Sequence, residues 1–423
     1  MDSGLTSYRG ALDKLFARTG STAKFGLDRT HALLALLGNP HRRFPSFHIA
    51  GTNGKGSVVA TLDTLLRAKG LRVGRYTSPH LVDFRERIVV DEKQIGENEV
   101  LDFIQRWQGD FERVGATFFE ITTALAFEHF ASHGVDVGLV ETGLGGRLDS
   151  TNVIMPVVAG VTSIGIDHVD YLGASLEGIA AEKAGIFKRG VPAVFGPAAD
   201  AARATLISVS RAAGATPIVQ STEIYCPSNV RVDWAGTRFD VERGGESVTL
   251  TTGLVGNHQA INACTALAML DVAGAPYQTS LIEAAHTLPL VKLPGRFQRV
   301  GKFVLDVAHN PDGIRALVST LDSVKPQRPV VAVLGVLRDK DWREMMRSLC
   351  PVVDATILTT PSSASADRIW DATEALKFGT ECGWRVTLAP RVAEALERAA
   401  REAATVVVTG SFHTVGDASS ELR

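Results

Sequence analysis

Phe47-His48-Ile49-Ala50-Gly51-Thr52-Asn53-Gly54-Lys55-Gly56-Ser57 decides the fold. A short apolar run enters a loop of three glycines, one lysine and one serine, and apolar residues resume from Val58 to Leu66. The pattern predicts strand, tight loop, helix. Glycines let the backbone bend and bring N–H groups close to a ligand, while a helix N-terminus adds partial positive charge and Lys55 a full one. Such a loop cradles phosphate, and Ser57 offers a hydroxyl to a magnesium ion. The loop departs from the common phosphate-loop form, because Gly56 separates the lysine from the serine and no glycine stands five residues before Gly54. Read alone, it fits a glycine-rich turn with a solvated lysine about equally well, so the rest of the chain must decide.

Composition narrows the choices. A chain of 423 residues is too long for one ordinary core and predicts two or three domains. A net charge of −2 gives no basic footprint for nucleic acid. Cys226, Cys264, Cys350 and Cys382 are far apart with no CxxC pair, which argues against a zinc or disulfide framework and fits a reducing compartment. No run approaches the roughly 20 apolar residues of a membrane span, and the first residues lack an apolar leader, so the expected location is cytoplasmic.

Outward from the loop, residues 1–45 read as amphipathic helix, with Leu12, Leu15 and Phe16 on one face and a break at Phe25-Gly26-Leu27-Asp28. Downstream, apolar strand-like runs end repeatedly in polar residues, the place where α/β folds bind ligands. Arg72 to Tyr76 delivers Ser78-Pro79-His80-Leu81, and Val135 to Val140 delivers Glu141-Thr142-Gly143-Leu144-Gly145-Gly146-Arg147-Leu148-Asp149. Val157 to Thr162 leads to Asp167-His168. A carboxylate at a strand end before a glycine loop suits a magnesium ligand facing phosphate. Ser78 taken alone is a turn residue, His168 a hydrogen-bonded loop histidine, and Lys183 in Glu182-Lys183-Ala184-Gly185-Ile186 a solvated helical lysine. From Ile218 to Thr252, short alternating runs flank Gly244-Gly245, which is hairpin chemistry and predicts a small antiparallel patch attached to the first domain. Leu293-Pro294-Gly295-Arg296 is the candidate hinge. Beyond it, strands over 303–306, 330–334, 355–358, 385–388 and 405–408 alternate with helices beginning near Pro311, Asp341, Asp367, Arg391 and Phe412, predicting a doubly wound domain.

Eight ordered stretches resemble the folylpolyglutamate synthase/dihydrofolate synthase family of the Mur ligase superfamily. They are residues 51–57, 78–81, 141–149, 167–168, 182–186, Leu-Pro-Gly-Arg-Phe at 293–297, Asp-Val-Ala-His-Asn-Pro at 306–311 and Gly-Ser-Phe-His-Thr-Val at 410–415. The resemblance runs from about residue 25 to 418. It implies an α/β architecture: an N-terminal P-loop NTPase-like, ATP-binding domain with a small antiparallel β patch over 1–290, a hinge at 291–296, and a C-terminal Rossmann-like glutamate-ligase domain over 297–423. The implied reaction joins a carboxylate to the amine of L-glutamate at the expense of ATP, through an acyl phosphate, with hinge closure excluding water.

Carried over position by position, Gly51, Thr52, Asn53, Gly54, Lys55, Gly56 and Ser57 match the ATP-phosphate loop, and Asn262, Arg296 and Asp306 match further nucleotide contacts. Ser57, Ser78, Glu141 and His168 match ligands for two Mg2+ ions. Lys183 matches the lysine that takes up CO2 as a carbamate and supports the second ion. Lys55, Lys183, His168 and His309 match the catalytic set. Phe119, Glu120 and Asp149 resemble the pterin site of bifunctional bacterial members, which favours dihydropteroate as one acceptor and the γ-glutamyl tail of reduced folate as another. His309, Ser411 and His413 lie where the family binds glutamate. A monomer is expected. Open alternatives are a monofunctional folylpolyglutamate synthase and another Mur-type acid–amino acid ligase, though cell-wall ligases usually carry an extra N-terminal domain for which the residues before Gly51 leave no room. A nucleotide switch protein would explain residues 51–57 but not Lys183, His168 or His309.

Overall fold

The computed structural model describes residues 7–18, 26–243 and 245–423. Phe25 and Gly244, used above as a break and a turn residue, lie outside them. The chain forms two compact units. The first comprises Met1–Ile164, Ser175–Tyr225 and Cys264–Glu283, and the second Gly165–Ala174, Cys226–Ala263 and Ala284–Arg423.

The first unit is built on eight strands: β1 (Ser46–Ala50), β2 (Val73–Tyr76), β3 (Ile88–Val90), β4 (Lys93–Gln94), β5 (Val137–Glu141), β6 (Val158–Val161), β7 (Ala193–Phe195) and β8 (Ile218–Gln220). Their order is β4-β3-β2-β5-β1-β6-β7-β8. All neighbouring pairs from β2 across to β8 are parallel, while β3 and β4 add an antiparallel edge absent from the sequence reading. β1 and β5 are buried along their whole length, as continuous apolar runs in a sheet covered on both faces must be. One core gathers Phe44, Tyr76, Phe103, Phe111, Phe127 and Phe130 under the helices Glu97–Val114 and Phe118–Ser132. A second joins Ala50, Val161, Ile186, Phe187, Phe195 and Leu206. The strand order makes β2, β5, β1 and β6 neighbours, so the phosphate loop after β1, Ser78 after β2 and Glu141 at the end of β5 line one edge of the sheet.

The second unit holds a three-stranded antiparallel sheet, β9 (Ser228–Asp233), β10 (Gly236–Arg243) and β11 (Glu246–Thr252), in the order β11-β10-β9. The antiparallel chemistry is as expected, and by contact the patch groups with the second compact unit. Apolar side chains are the physical reason: Trp234 packs tilted against Phe297, ring centroids 5.7 Å apart, and joins Val232 against the core of Val304, Leu317, Leu334 and Trp342. The six-stranded sheet comprises β12 (Gln298–Val300), β13 (Phe303–Leu305), β14 (Val330–Leu334), β15 (Ala355–Leu358), β16 (Val386–Leu388) and β17 (Thr405–Thr409). Its order is β12-β13-β17-β14-β15-β16, parallel except for β12. β17 sits between β13 and β14, which makes a topological switch point at the ends of those three strands. One helix starts later than read from sequence. Asp367 lies in a short 3-10 turn, and Asp371 is the cap of helix Ala372–Glu381, accepting from the Thr373 and Glu374 amides. Trp370 intervenes because its buried ring donates to the Thr359 carbonyl at 2.9 Å, which holds residues 369–370 extended.

Candidate active site

The loop after β1 is pinned to the end of β6. The Thr52 amide donates to the Ser163 carbonyl at 2.8 Å and the Asn53 amide to Ser163 Oγ at 3.0 Å. Thr162 Oγ1 and Ser163 Oγ both donate to the Asn53 carbonyl, at 2.6 and 2.9 Å. Gly51 has φ +151°, and a Cβ there would lie 1.9 Å from Thr162 Oγ1, so no other residue fits. Gly54, at φ +87°, opens helix Lys55–Ala68, and no side chain caps that start. The first-turn amides therefore have no side-chain cap beside Lys55, the arrangement that attracts an anion.

Two ammonium groups meet at one carbonyl. Lys55 Nζ donates to the Gly51 carbonyl at 3.0 Å and to that of Thr52 at 3.4 Å, and Lys183 Nζ donates to the same Gly51 carbonyl at 2.9 Å. Lys183 is only 5% exposed, so the solvated alternative does not hold for it. Glu141, at the end of β5, has Oε1 3.9 Å from Lys55 Nζ and Oε2 accepting from the Ser78 amide at 3.3 Å. Ser57 is buried in the first turn of the loop helix. Lys183 reaches this point because its helix, Leu176–Ala184, is held against the glycine loop. The Arg147 amide donates to the Glu182 carbonyl, the Arg147 side chain pairs with Glu182 at 2.8 Å, and a Cβ on Gly146 would stand 2.7 Å from the Lys183 carbonyl. Carboxylate and hydroxyl donors with no sulfur form an oxygen set of the kind a hard Mg2+ ion prefers.

Asp149 and Glu120 are strongly engaged. Asp149 accepts from the amides of Gly143 and Leu144 at 2.9 Å each and from the amide and hydroxyl of Thr151 at 3.0 and 2.5 Å. Burial nevertheless pushes its carboxyl above the ordinary Asp value. Thr151 Oγ1 in turn bonds His48 Nε2 at 2.8 Å, and burial holds His48 neutral, its pKa lowered to about 3. Glu120 closes a capping box with Thr117 and pairs with Arg29 at 2.9 Å. Phe119 lies against Gly143, where a Cβ would be 2.4 Å from its ring, and 6.0 Å from Tyr76.

The second unit carries its own polar centre, around Asp167. Lys340 Nζ donates to its Oδ1 at 2.5 Å, and Asn310 Nδ2 to its Oδ2 at 3.0 Å. His309 Nε2 is 3.5 Å away and His168 Nε2 3.9 Å. Burial alone would raise the Asp167 carboxyl, but the hydrogen bond from His309 and the Lys340 and histidine charges outweigh it and hold the group well below the usual carboxylate range. His309 Nδ1 donates to the Val307 carbonyl at 2.9 Å, which orients the ring with Nε2 toward Asp167. Sequence reasoning assigned no role to Asp167 or Lys340. The available signal was the lysine in the loop after β14, one of the three strands at the switch point.

Other predicted residues are engaged locally. Asp306 accepts from the amides of Phe297 and Ala308 at 2.9 Å each, bracing the segment that carries Arg296, whose guanidinium lies 5.3 Å over Phe412. Asn262 donates to Gln259 at 3.0 Å. Ser411 caps helix Phe412–Glu421, accepting from the Thr414 amide, and His413 Nδ1 meets Ser363 Oγ at 3.0 Å. Of the predicted metal set, Ser78, Glu141 and Lys183 gather round the loop in the first unit, while His168 belongs to the second.

Residues 49–270 match the model of the Mur ligase middle domain and residues 295–412 that of the Mur ligase glutamate ligase domain. Fold and loop together therefore define a Mur-type ligase. A dihydrofolate synthase/folylpolyglutamate synthase of Bacillus subtilis is 32% identical over 434 residues, covering 99% of this chain and all of its own. The structure of Mycobacterium tuberculosis folylpolyglutamate synthase complexed with ADP and AMPPCP is 34% identical, with a TM-score of 0.88 over 98% of this chain and 99% of that one. Escherichia coli FolC in complex with DHPP and ADP is 32% identical, with a TM-score of 0.85 over 98% and 97%. The chain belongs to the folylpolyglutamate synthase/dihydrofolate synthase family. Among the described residues no helix is long and apolar enough to cross a membrane.

Proposed function

We propose that the protein is an ATP-dependent ligase that adds L-glutamate to dihydropteroate and also lengthens the γ-glutamyl tail of reduced folates. The observation that carries this reading is the convergence of Lys55 and Lys183 on the Gly51 carbonyl beside Glu141, at a loop whose helix start is left uncapped. An anionic carboxylate must approach an anionic triphosphate, so cations at the γ-phosphate are the main requirement. Lys55 and the loop amides hold the β- and γ-phosphates. Ser57, Ser78, Glu141 and His168 would hold two Mg2+ ions, which supply further positive charge against the phosphate oxygens. A carboxylate oxygen of the acceptor attacks the γ-phosphorus, the bond to the bridging oxygen breaks, and ADP leaves. The glutamate nitrogen then attacks the acyl phosphate carbon, loses a proton, and inorganic phosphate departs as the amide forms.

Lys183 takes part as a carbamate in this reading. Its amine adds CO2 with release of a proton and becomes an anion. The burial of this amine at the phosphate loop, where it meets the Gly51 carbonyl, supports the assignment. In the second unit, His309 acts at the acyl phosphate with Asp167 holding its ring, Arg296 and Asp306 serve the nucleotide together with Asn262, and Ser411 and His413 serve the incoming glutamate. Phe119, Glu120 and Asp149 shape the pterin site: Asp149 and Glu120 fix the backbone around it and Phe119 offers the ring face. Domain boundaries at 1–290 and 297–423, a monomeric state and a cytoplasmic location complete the proposal.

ADP release with Mg2+, ATP and L-glutamate tests the reading, with dihydropteroate and tetrahydrofolate compared as acceptors. Stimulation by both supports bifunctionality, and stimulation by tetrahydrofolate alone would make this a monofunctional folylpolyglutamate synthase. Lys183→Ala tests the carbamate, since full activity in that variant would refute it.

A further inference from the structure

Outside the catalytic region, the first unit brings two imidazoles and one carboxylate together between two helices. Glu99 stands in the first turn of helix Glu97–Val114, and His129 lies in the last turn of helix Phe118–Ser132 with His133 as its C-cap. The two histidines are four residues apart and so share a helix face. One candidate ligand atom from each of the three residues falls within 4.8 Å of the others. His129 Nδ1 is 3.3 Å from Glu99 Oε1, and His133 Nε2 is 3.5 Å from the same oxygen.

We propose that Glu99, His129 and His133 form a binding site for a borderline divalent cation, Zn2+ above all, that clips these two helices together. Ligand atoms about 2.1 Å from a tetrahedral zinc stand roughly 3.4 Å apart, and both Glu–His separations match that edge. The outer bonds already orient the ligands. Glu99 Oε2 accepts from the Gly96 amide at 2.8 Å, which leaves Oε1 for the cation. His133 Nδ1 donates to the His129 carbonyl at 2.9 Å, so the lone pair of its neutral ring is on Nε2, aimed at Oε1. A lone pair facing a carboxylate oxygen calls for a cation between them, either a proton or a metal. One metal ion would serve both rings at once, whose centroids are 4.0 Å apart. Zinc suits two imidazoles and one carboxylate better than magnesium, which demands oxygen. With three protein ligands, water fills the fourth position.

The experiment is equilibrium dialysis of the chelator-treated full chain against ZnCl2, with metal content and the thermal unfolding midpoint as readouts. Wild type is compared with His133→Ala, which truncates a partly exposed side chain, and with Glu99→Gln, which keeps an oxygen for the Gly96 amide. Zinc taken up at the phosphate loop is common to all three proteins, so the difference isolates the clip. The expected result is one more equivalent of zinc in wild type, a midpoint that rises with zinc only there, and at least about tenfold weaker uptake in both variants. ADP release without zinc is the same in His133→Ala and wild type. Equal stoichiometry and equal affinity in all three proteins would overturn the proposal.

Discussion

Replacing Asp167 with Asn removes one charge from the polar centre of the second unit while keeping its shape and one acceptor oxygen. Lys340 Nζ, 2.5 Å from Asp167 in the wild type and nearly buried, then stands without its main partner. Removing one member of a buried pair costs about 3–5 kcal/mol, because the remaining charge is left uncompensated. Asp339, 3.6 Å from the same ammonium, offsets part of this, so the expected loss is about 3 kcal/mol. Urea unfolding followed by tryptophan fluorescence reads it, since Trp234, Trp342, Trp370 and Trp384 all lie in the second unit and only Trp107 in the first. Replacing Lys340 by Met as well removes the stranded charge, so Asp167→Asn/Lys340→Met should lose less than the sum of the single changes, with a coupling of at least about 1 kcal/mol. The pH dependence has a definite sign. The folded carboxyl lies below the ordinary Asp value of 3.8, so its stabilisation is present above that pH and is lost only as pH falls toward the folded value. The gap between wild type and Asp167→Asn therefore persists across neutral and mildly acid pH. Unchanged stability in Asp167→Asn, or strict additivity in the double variant, would refute the reasoning.

Three further outcomes are expected. Thr162→Val removes the hydroxyl that donates to the Asn53 carbonyl at 2.6 Å, costs about 1 kcal/mol of stability and raises KM for ATP severalfold with a smaller change in kcat; an unchanged KM would show that the bond does not shape the phosphate loop. Asp149→Ala weakens the use of dihydropteroate more than tail extension, and equal losses in parallel steady-state assays would exclude a specific pterin role. His48, with its folded pKa lowered to about 3, stays neutral while the unfolded histidine takes up a proton below about 6.5, so stability falls on acidification by up to about 1.4 kcal/mol per pH unit; His48→Gln should flatten that slope in urea midpoints measured from pH 7 to 5.

The fold was legible because its strong signals are local. Glycine loops after apolar runs marked the ends of β1 and β5, and those strands are buried throughout, as unbroken apolar runs imply. The short edge strands β3, β4 and β12 escaped, since two or three residues carry no periodicity. The antiparallel patch was visible as hairpins, yet its allegiance depends on Trp234 meeting Phe297, sixty-three residues downstream in the sequence. Lys55, Glu141, Ser78 and Lys183 were singled out through their motifs, and the structure gathers them round one loop. What escaped was the polar centre that unites Asp167, Asn310 and Lys340, since residues 143 and 173 positions apart are paired by topology and by no local pattern. The same holds for Glu99 with His129 and His133, where only the i, i+4 histidine spacing was present in the sequence and the carboxylate comes from another helix.

The most direct test of the central claim is ADP release by the purified chain with Mg2+, ATP and L-glutamate, with and without dihydropteroate or tetrahydrofolate. The expected result is turnover that requires both glutamate and a pterin acid, one ADP for each amide formed, and activity with either acceptor. ATP hydrolysis of equal rate in the absence of glutamate or acceptor, with no glutamylated product, would contradict it.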